Sequence, residues 1–194
     1  MGDTKNHLIH RPREGYVIRI KKIFTVLLLW GSFFQGLSAR TITSMAYPVK
    51  VEITYDDGIP EDIRNYCDEI GAEFGICPEL LESIAYQESR FIPDVITNNY
   101  YGLMQVNVII HKKRIEKYGY DADDMLTAYP CIKVAADYLA ELFDTYGDDD
   151  PIILLLYSGS GWDAVELYKE NGFMTQYVED VLARSAEYER IHCK

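Results

Sequence analysis

The chain has 194 residues, enough for one domain with a sizeable core. Its formal charge is −12; the first 46 residues hold seven basic and two acidic side chains, so the remainder stands at −17. An excess of acid on that scale excludes a nucleic-acid partner, which needs a basic surface, and leaves open ligands read by hydrogen bonds and ring contacts.

The opening stretch differs in kind from the rest. Arg11, Arg13, Arg19, Lys21 and Lys22 precede an apolar run, Ile23 to Phe34, broken only by Thr25, Gly31 and Ser32. The run is short for a membrane span and reads as a secretory signal, with small residues for cleavage at Ser38-Ala39 or Ser44-Met45-Ala46. The alternative is an uncleaved anchor, the one route by which the chain would associate with a membrane. The sequence thus divides into a signal and short leader over 1–46, an extended arm over 47–59 and a folded domain over 60–194. Export makes disulfides possible among Cys67, Cys77, Cys131 and Cys193, in three full pairings. Cys67 falls on an apolar helix stripe and reads as a buried free thiol. His111 and His192 lack metal-ligand spacing to any cysteine or to each other, so neither metal nor cofactor is expected.

In the arm, Val49, Val51 and Ile53 alternate with polar residues up to the turn at Asp56-Asp57-Gly58. Pro60-Glu61-Asp62 opens a first helix with acids in its first turn, striped by Ile63, Cys67, Ile70 and Phe74 and ended by Gly75. A second helix opens at Pro78 and stops before Phe91-Ile92-Pro93, since proline disfavours helical geometry in the residue before it. A third is expected from Val108 to Tyr118, with Lys112, Lys113, Arg114 and Lys117 on its solvated face. Asp121, Asp123 and Asp124 resemble part of a calcium loop but lack the other ligands, so they read as an acidic turn. Pro130 opens a long helix with Ile132, Ala135, Ala136, Leu139 and Phe143 inward. Asp148 to Pro151 starts a further helix at whose dipole acids are favourable, and Ile152 to Leu156 reads as its buried course. Gly172 ends the next helix, and Thr175 is a good N-cap for the last one. The pattern is mainly α, without repeats or a second domain.

Glu88 lies near the end of the second helix. Counting back three, four and seven residues gives Ala85, Ile84 and Leu81, all apolar, so a carboxylate stands on the inward face. Desolvation favours the protonated carboxyl, the form a general acid needs. A core-edge glutamate paired with Arg90 or a lysine is the plainer reading of the same spacing. After the helix, Gly102 permits close approach or positive φ, and Gln105 offers an uncharged donor and acceptor amid apolar residues.

These residues resemble a known family. The pair Glu88-Ser89, a loop, then Gly102-Leu103-Met104-Gln105-Val106 is similar to the core of lytic transglycosylases, over roughly 60–191 of this chain. The resemblance implies a lysozyme-like, mainly α catalytic domain acting on peptidoglycan glycan strands, exported or wall-associated in a bacterium and monomeric. It implies Glu88 as the catalytic acid, then base. Gln105, Tyr157 and Tyr177 would orient the sugar and the glutamate, and Ser89 and Met104 would shape the cleft. Ser158 stands where the family usually has a sugar-holding asparagine. Cys131-Ile132 and Ala135 stand where it has asparagine-isoleucine and glycine, departures expected to affect packing and capping rather than chemistry. The implied reaction breaks the bond between N-acetylmuramic acid and N-acetylglucosamine with intramolecular formation of a 1,6-anhydro ring. Two other functions fit the same residues: a muramidase of goose-type lysozyme kind, in which water attacks, and a secreted wall-binding module without catalysis. An exported scaffold protein is a third.

Overall fold

The structure is a computed structural model and describes residues 57–192. The expected leader over 1–46, all but the last three residues of the expected arm, and Cys193 lie outside the described residues. Among the described residues seven α-helices enclose one core: α1 Glu61–Phe74, α2 Pro78–Ser89, α3 Lys112–Lys117, α4 Ala128–Tyr146, α5 Asp150–Tyr157, α6 Gly161–Asn171 and α7 Gln176–His192. Between α2 and α3 lie three two-residue strands, β1 Ile96–Thr97, β2 Tyr100–Tyr101 and β3 Val106–Asn107, paired antiparallel in that order. Tyr101 opposes both Ile96 and Val106, and Tyr100 opposes Thr97 and Asn107.

α2 is the axis of the molecule. It packs against α1 on one side and α7 on the other and also meets α4. Leu80, Leu81, Ile84 and Ala85 are wholly buried along it. α5 is the other apolar rod: Ile153, Leu154 and Leu155 are fully buried, and Asp149 caps its start by accepting from the Ile152 amide. The α1 stripe of Ile63, Cys67 and Ile70 is buried, and Gly75 closes that helix in the left-handed conformation. Cys67 and Cys131 are buried free thiols, and Cys77 is buried too. Among the described residues no helix is long and apolar enough to cross a membrane.

The folded body reaches back beyond Pro60. Ile59 is buried, and the Asp57 carboxylate, assigned from sequence to the arm, is bonded to Arg64 and to His192 Nε2 at 2.7 Å. Four other expectations are corrected. The third helix begins four residues late, because the Asn107 side chain accepts from the Ile109 and Ile110 amides and turns the chain first. Arg114 is not solvated: its guanidinium pairs with Asp137 and Glu141 on α4, and Lys117 joins it at 2.6 Å from Asp137. The Asp137 carboxylate is largely withdrawn from water and draws these cations in. The long helix starts at Ala128, two residues before Pro130. Thr175 does not cap α7 through its side chain: among the described residues its hydroxyl is buried without a hydrogen bond, while its carbonyl accepts from the Glu179 amide.

Candidate active site

A cleft opens between the β1–β3 segment and the α5–α6 turn, with Glu88 in its wall. Local chemistry puts that carboxylate there. α2 ends at Ser89 because Arg90 and Phe91 both take left-handed backbone, with φ 57° and 63°. Arg90 turns its guanidinium onto the Tyr86 ring, 4.4 Å from the centroid, and donates to the Tyr86 carbonyl. Its charge therefore points away from Glu88. Burial raises the Glu88 pKa above the ordinary glutamate value. The Tyr177 hydroxyl, donating to Glu88 Oε1 at 2.6 Å, pulls the other way without cancelling the shift. Glu88 is the one carboxylate among the residues that line the cleft. Asp94 is exposed on the turn after α2 and does not line it.

The loop over 102–106 forms the neighbouring wall. Gly102 has φ 77°, and a Cβ there would sit 1.7 Å from the Met125 carbonyl oxygen, so only glycine fits. Gln105 also takes left-handed backbone, with φ 47°. Its amide nitrogen donates to the Gly102 carbonyl at 2.9 Å and to the Val95 carbonyl at 3.2 Å. With those protons used inside the loop, its oxygen is the group it offers to the cleft.

The residues singled out from sequence fall into two groups. Glu88, Gln105, Tyr157 and Ser158 line the cleft, and Tyr177 reaches Glu88 from α7. Ser89 and Met104 stand behind the wall. The Ser89 hydroxyl is 2.8 Å from the Leu103 carbonyl and 3.0 Å from that of Ala85, tying α2 to the loop. The Met104 side chain is fully buried, and its carbonyl accepts the Tyr157 hydroxyl at 2.9 Å. Tyr157 thus spends its proton on the loop rather than on Glu88. Burial and the nearby Glu88 charge both raise its pKa, so it stays a neutral phenol. Ser158 Oγ lies 3.1 Å from the Leu155 carbonyl and 2.8 Å from Ser160 Oγ.

Part of the cleft lining is not legible in the sequence. His111 and Tyr138 line the wall opposite the loop, with ring centroids 4.5 Å apart, and Tyr138 in turn packs 5.9 Å from Tyr157. Arg114 lies over Tyr138 at 5.4 Å. Burial, helped by the Arg114 charge, depresses the His111 pKa and keeps the imidazole neutral. Among the described residues neither the phenol hydroxyl of Tyr138 nor the His111 ring makes a hydrogen bond. Three rings in a row, two of them with free polar edges, suit a saccharide. Tyr138 follows Ala135 by three on α4, a signal that would have found it once Ala135 was placed at the cleft. His111 carried none.

Known proteins agree with this architecture. Over 102 residues the chain is 37% identical to the invasion protein IagB of Salmonella typhimurium, in strains SL1344 and LT2 alike, a stretch that makes up 49% of this chain and 55% of either relative. The chain therefore spans about half the length of the curated relatives it matches. Its fold superposes on part of the lytic transglycosylase Slt from Pseudomonas aeruginosa, solved as an inactive mutant, with a TM-score of 0.57 at 18% identity over 66% of this chain and 24% of that one. At that identity the likeness is one of fold: a lysozyme-like, mainly α domain. The family model for the transglycosylase SLT domain matches residues 65–171, more than half of the sequence and inclusive of Glu88, the 102–106 loop and Tyr157, and the chain belongs to that family.

Proposed function

We propose that this protein is a peptidoglycan lytic transglycosylase that acts in the bacterial wall, outside the cytoplasmic membrane. Glu88 protonates the oxygen joining N-acetylmuramic acid to N-acetylglucosamine, and the bond from that oxygen to C1 of the muramoyl residue breaks. The C6 hydroxyl of the same residue then attacks C1 and returns its proton to Glu88. The leaving sugar keeps the first proton on its new hydroxyl, the muramoyl residue closes as a 1,6-anhydro ring, and no water is consumed. Gln105 and Ser158 bind the sugar, and Tyr177 holds the carboxyl of Glu88 in place.

The observation that carries this reading is the solitary, partly desolvated carboxyl of Glu88 in the cleft. A hydrolase with two carboxylates uses the second one to activate water or to attack, and among the described residues no second carboxylate lines this cleft. One group that starts protonated and ends protonated suffices for the intramolecular route.

The test is mass spectrometry of the soluble products from purified sacculi, with Glu88→Gln as control. Anhydro-muropeptides from the wild type and none from the variant are expected. Products heavier by one water would mean hydrolysis. Binding to sacculi without any soluble product would mean a wall-binding module.

A further inference from the structure

Cys131 is the fourth residue of α4, a wholly buried free thiol. On sequence its place suggests packing and capping. The structure gives its sulfur different work. The Met104 amide donates to Sγ at 3.3 Å, and Sγ lies 3.6 Å from the Tyr101 carbonyl, the acceptor for its own proton. A Cβ on Gly102 would come within 3.0 Å of the same sulfur, so the loop backbone closes around it. Burial pushes the thiol pKa up to about 12, although loop amides around the sulfur pull it down. The group is therefore a neutral thiol with one donor, and its lone pairs face the loop amides.

Two cleft groups hang on the backbone that Cys131 grips. Gln105 follows Met104 directly and sits in left-handed backbone. Tyr157 is held by the Met104 carbonyl, on the residue whose amide is fixed by the sulfur. We propose that Cys131 is a positioning residue: its thiol pins the peptides on either side of Gly102-Leu103, and through Met104 it sets where Gln105 and Tyr157 stand relative to Glu88. This deepens the transglycosylase reading and rests on it for its catalytic consequence. A small displacement of groups around a reacting centre is costly, about a hundredfold for ~1 Å.

The test uses the exported chain with Cys131→Ala and Cys131→Val, which bracket the side-chain volume without hydrogen bonding, and Cys131→Asn, whose amide can both accept from Met104 and donate to Tyr101. Two readouts are taken at a temperature where circular dichroism shows every variant folded. One is kcat/KM for muropeptide release from sacculi. The other is amide hydrogen exchange over residues 103–106, which needs no activity. The Ala and Val variants should exchange faster there and lose tenfold or more in kcat/KM, on the order set by such misplacement. The Asn variant should recover both. Wild-type exchange and kcat/KM in a folded Val or Ala variant would overturn the proposal, as would an Asn variant that behaves like Val. A wild-type protein that releases no muropeptides would instead sink the function proposed above, and exchange alone would then decide the role of Cys131.

Discussion

Glu88 shows how one residue's chemistry follows from its neighbours. Its apolar face was legible from spacing three, four and seven residues back, because helical periodicity is a local property. The hydrogen bond from Tyr177 was not legible that way, since the two residues are 89 positions apart and only the packing of α7 on α2 joins them. With the carboxyl raised by burial, the protonated acid persists above the ordinary glutamate range. Initial cleavage rate should therefore fall as pH rises through the folded-state pKa of Glu88, above about 4.5. Exposed Asp94 does not line the cleft, so Asp94→Asn should leave that descending limb where it is. A pH profile on purified sacculi at fixed ionic strength reads both; a rate that climbs through the same range and stays flat would refute the general-acid role. Ser158 supports a second prediction at this scale. Its short hydroxyl is engaged with Leu155 and Ser160, and it lines the cleft with little reach. Ser158→Asn should tighten binding of a chitin-type oligosaccharide by about 0.5–1.5 kcal/mol, one net hydrogen bond, measured by calorimetry.

Elements that begin and end on local signals were readable from sequence, and elements set by partners elsewhere were not. Gly75 and Gly172 follow α1 and α6 as their sequence positions suggest, and Pro78 opens α2. The small sheet was read as a loop, because two-residue strands leave no alternation to detect. On α3, Lys112, Lys113 and Lys117 are exposed as their pattern suggests, whereas Arg114 looks solvated until Asp137, on another helix, is placed beneath it. Gly102 sits between these cases. Sequence suggested freedom of backbone; only the fold showed the Met125 carbonyl pressed against it. Gly102→Ala should combine a strained φ with a clash against backbone that cannot rotate away. The expected loss is on the order of 3 kcal/mol in urea unfolding, with the cleft loop displaced even in molecules that fold. An alanine variant with wild-type midpoint and activity would show that the loop has more room than its geometry allows.

Across the whole molecule, carboxylates of opposite kind give stability a pH dependence with two signs. Burial alone would raise the Asp137 pKa, but hydrogen bonds from Lys117, Tyr118 and Arg114 outweigh it and hold the carboxyl below its usual 3.8. A depressed carboxylate contributes stability that is complete above its unfolded pKa and is lost as pH falls through the folded one. Asp57 behaves alike: burial is opposed by the Ile59 amide, His192 and Arg64, and its pKa is lowered. These two clusters tie α4 to α3 and the start of the domain to α7, so acid should loosen both the cleft side and the terminal seam below about pH 4. Glu88 has the reverse sign. Its pKa is raised above 4.5, so the stability linked to its protonated form is present below that value and lost as pH rises through the folded pKa. Thermal melts at a series of pH values should separate the two. Asp137→Asn should lower the midpoint at pH 7, by the equivalent of about 1–2 kcal/mol, the worth of a charged hydrogen bond discounted because Lys117 is exposed to solvent and screened. That deficit should shrink toward zero as the wild type is acidified below pH 3.8. Glu88→Gln should raise the midpoint at pH 7, and its gain should vanish below pH 4.5. The two variants must therefore diverge at neutral pH and converge on the wild type in acid. A Glu88→Gln midpoint below wild type at pH 7 would mean that Tyr177 stabilises the ionised carboxylate more than burial penalises it. The proton that begins the proposed reaction would then have to come from another group.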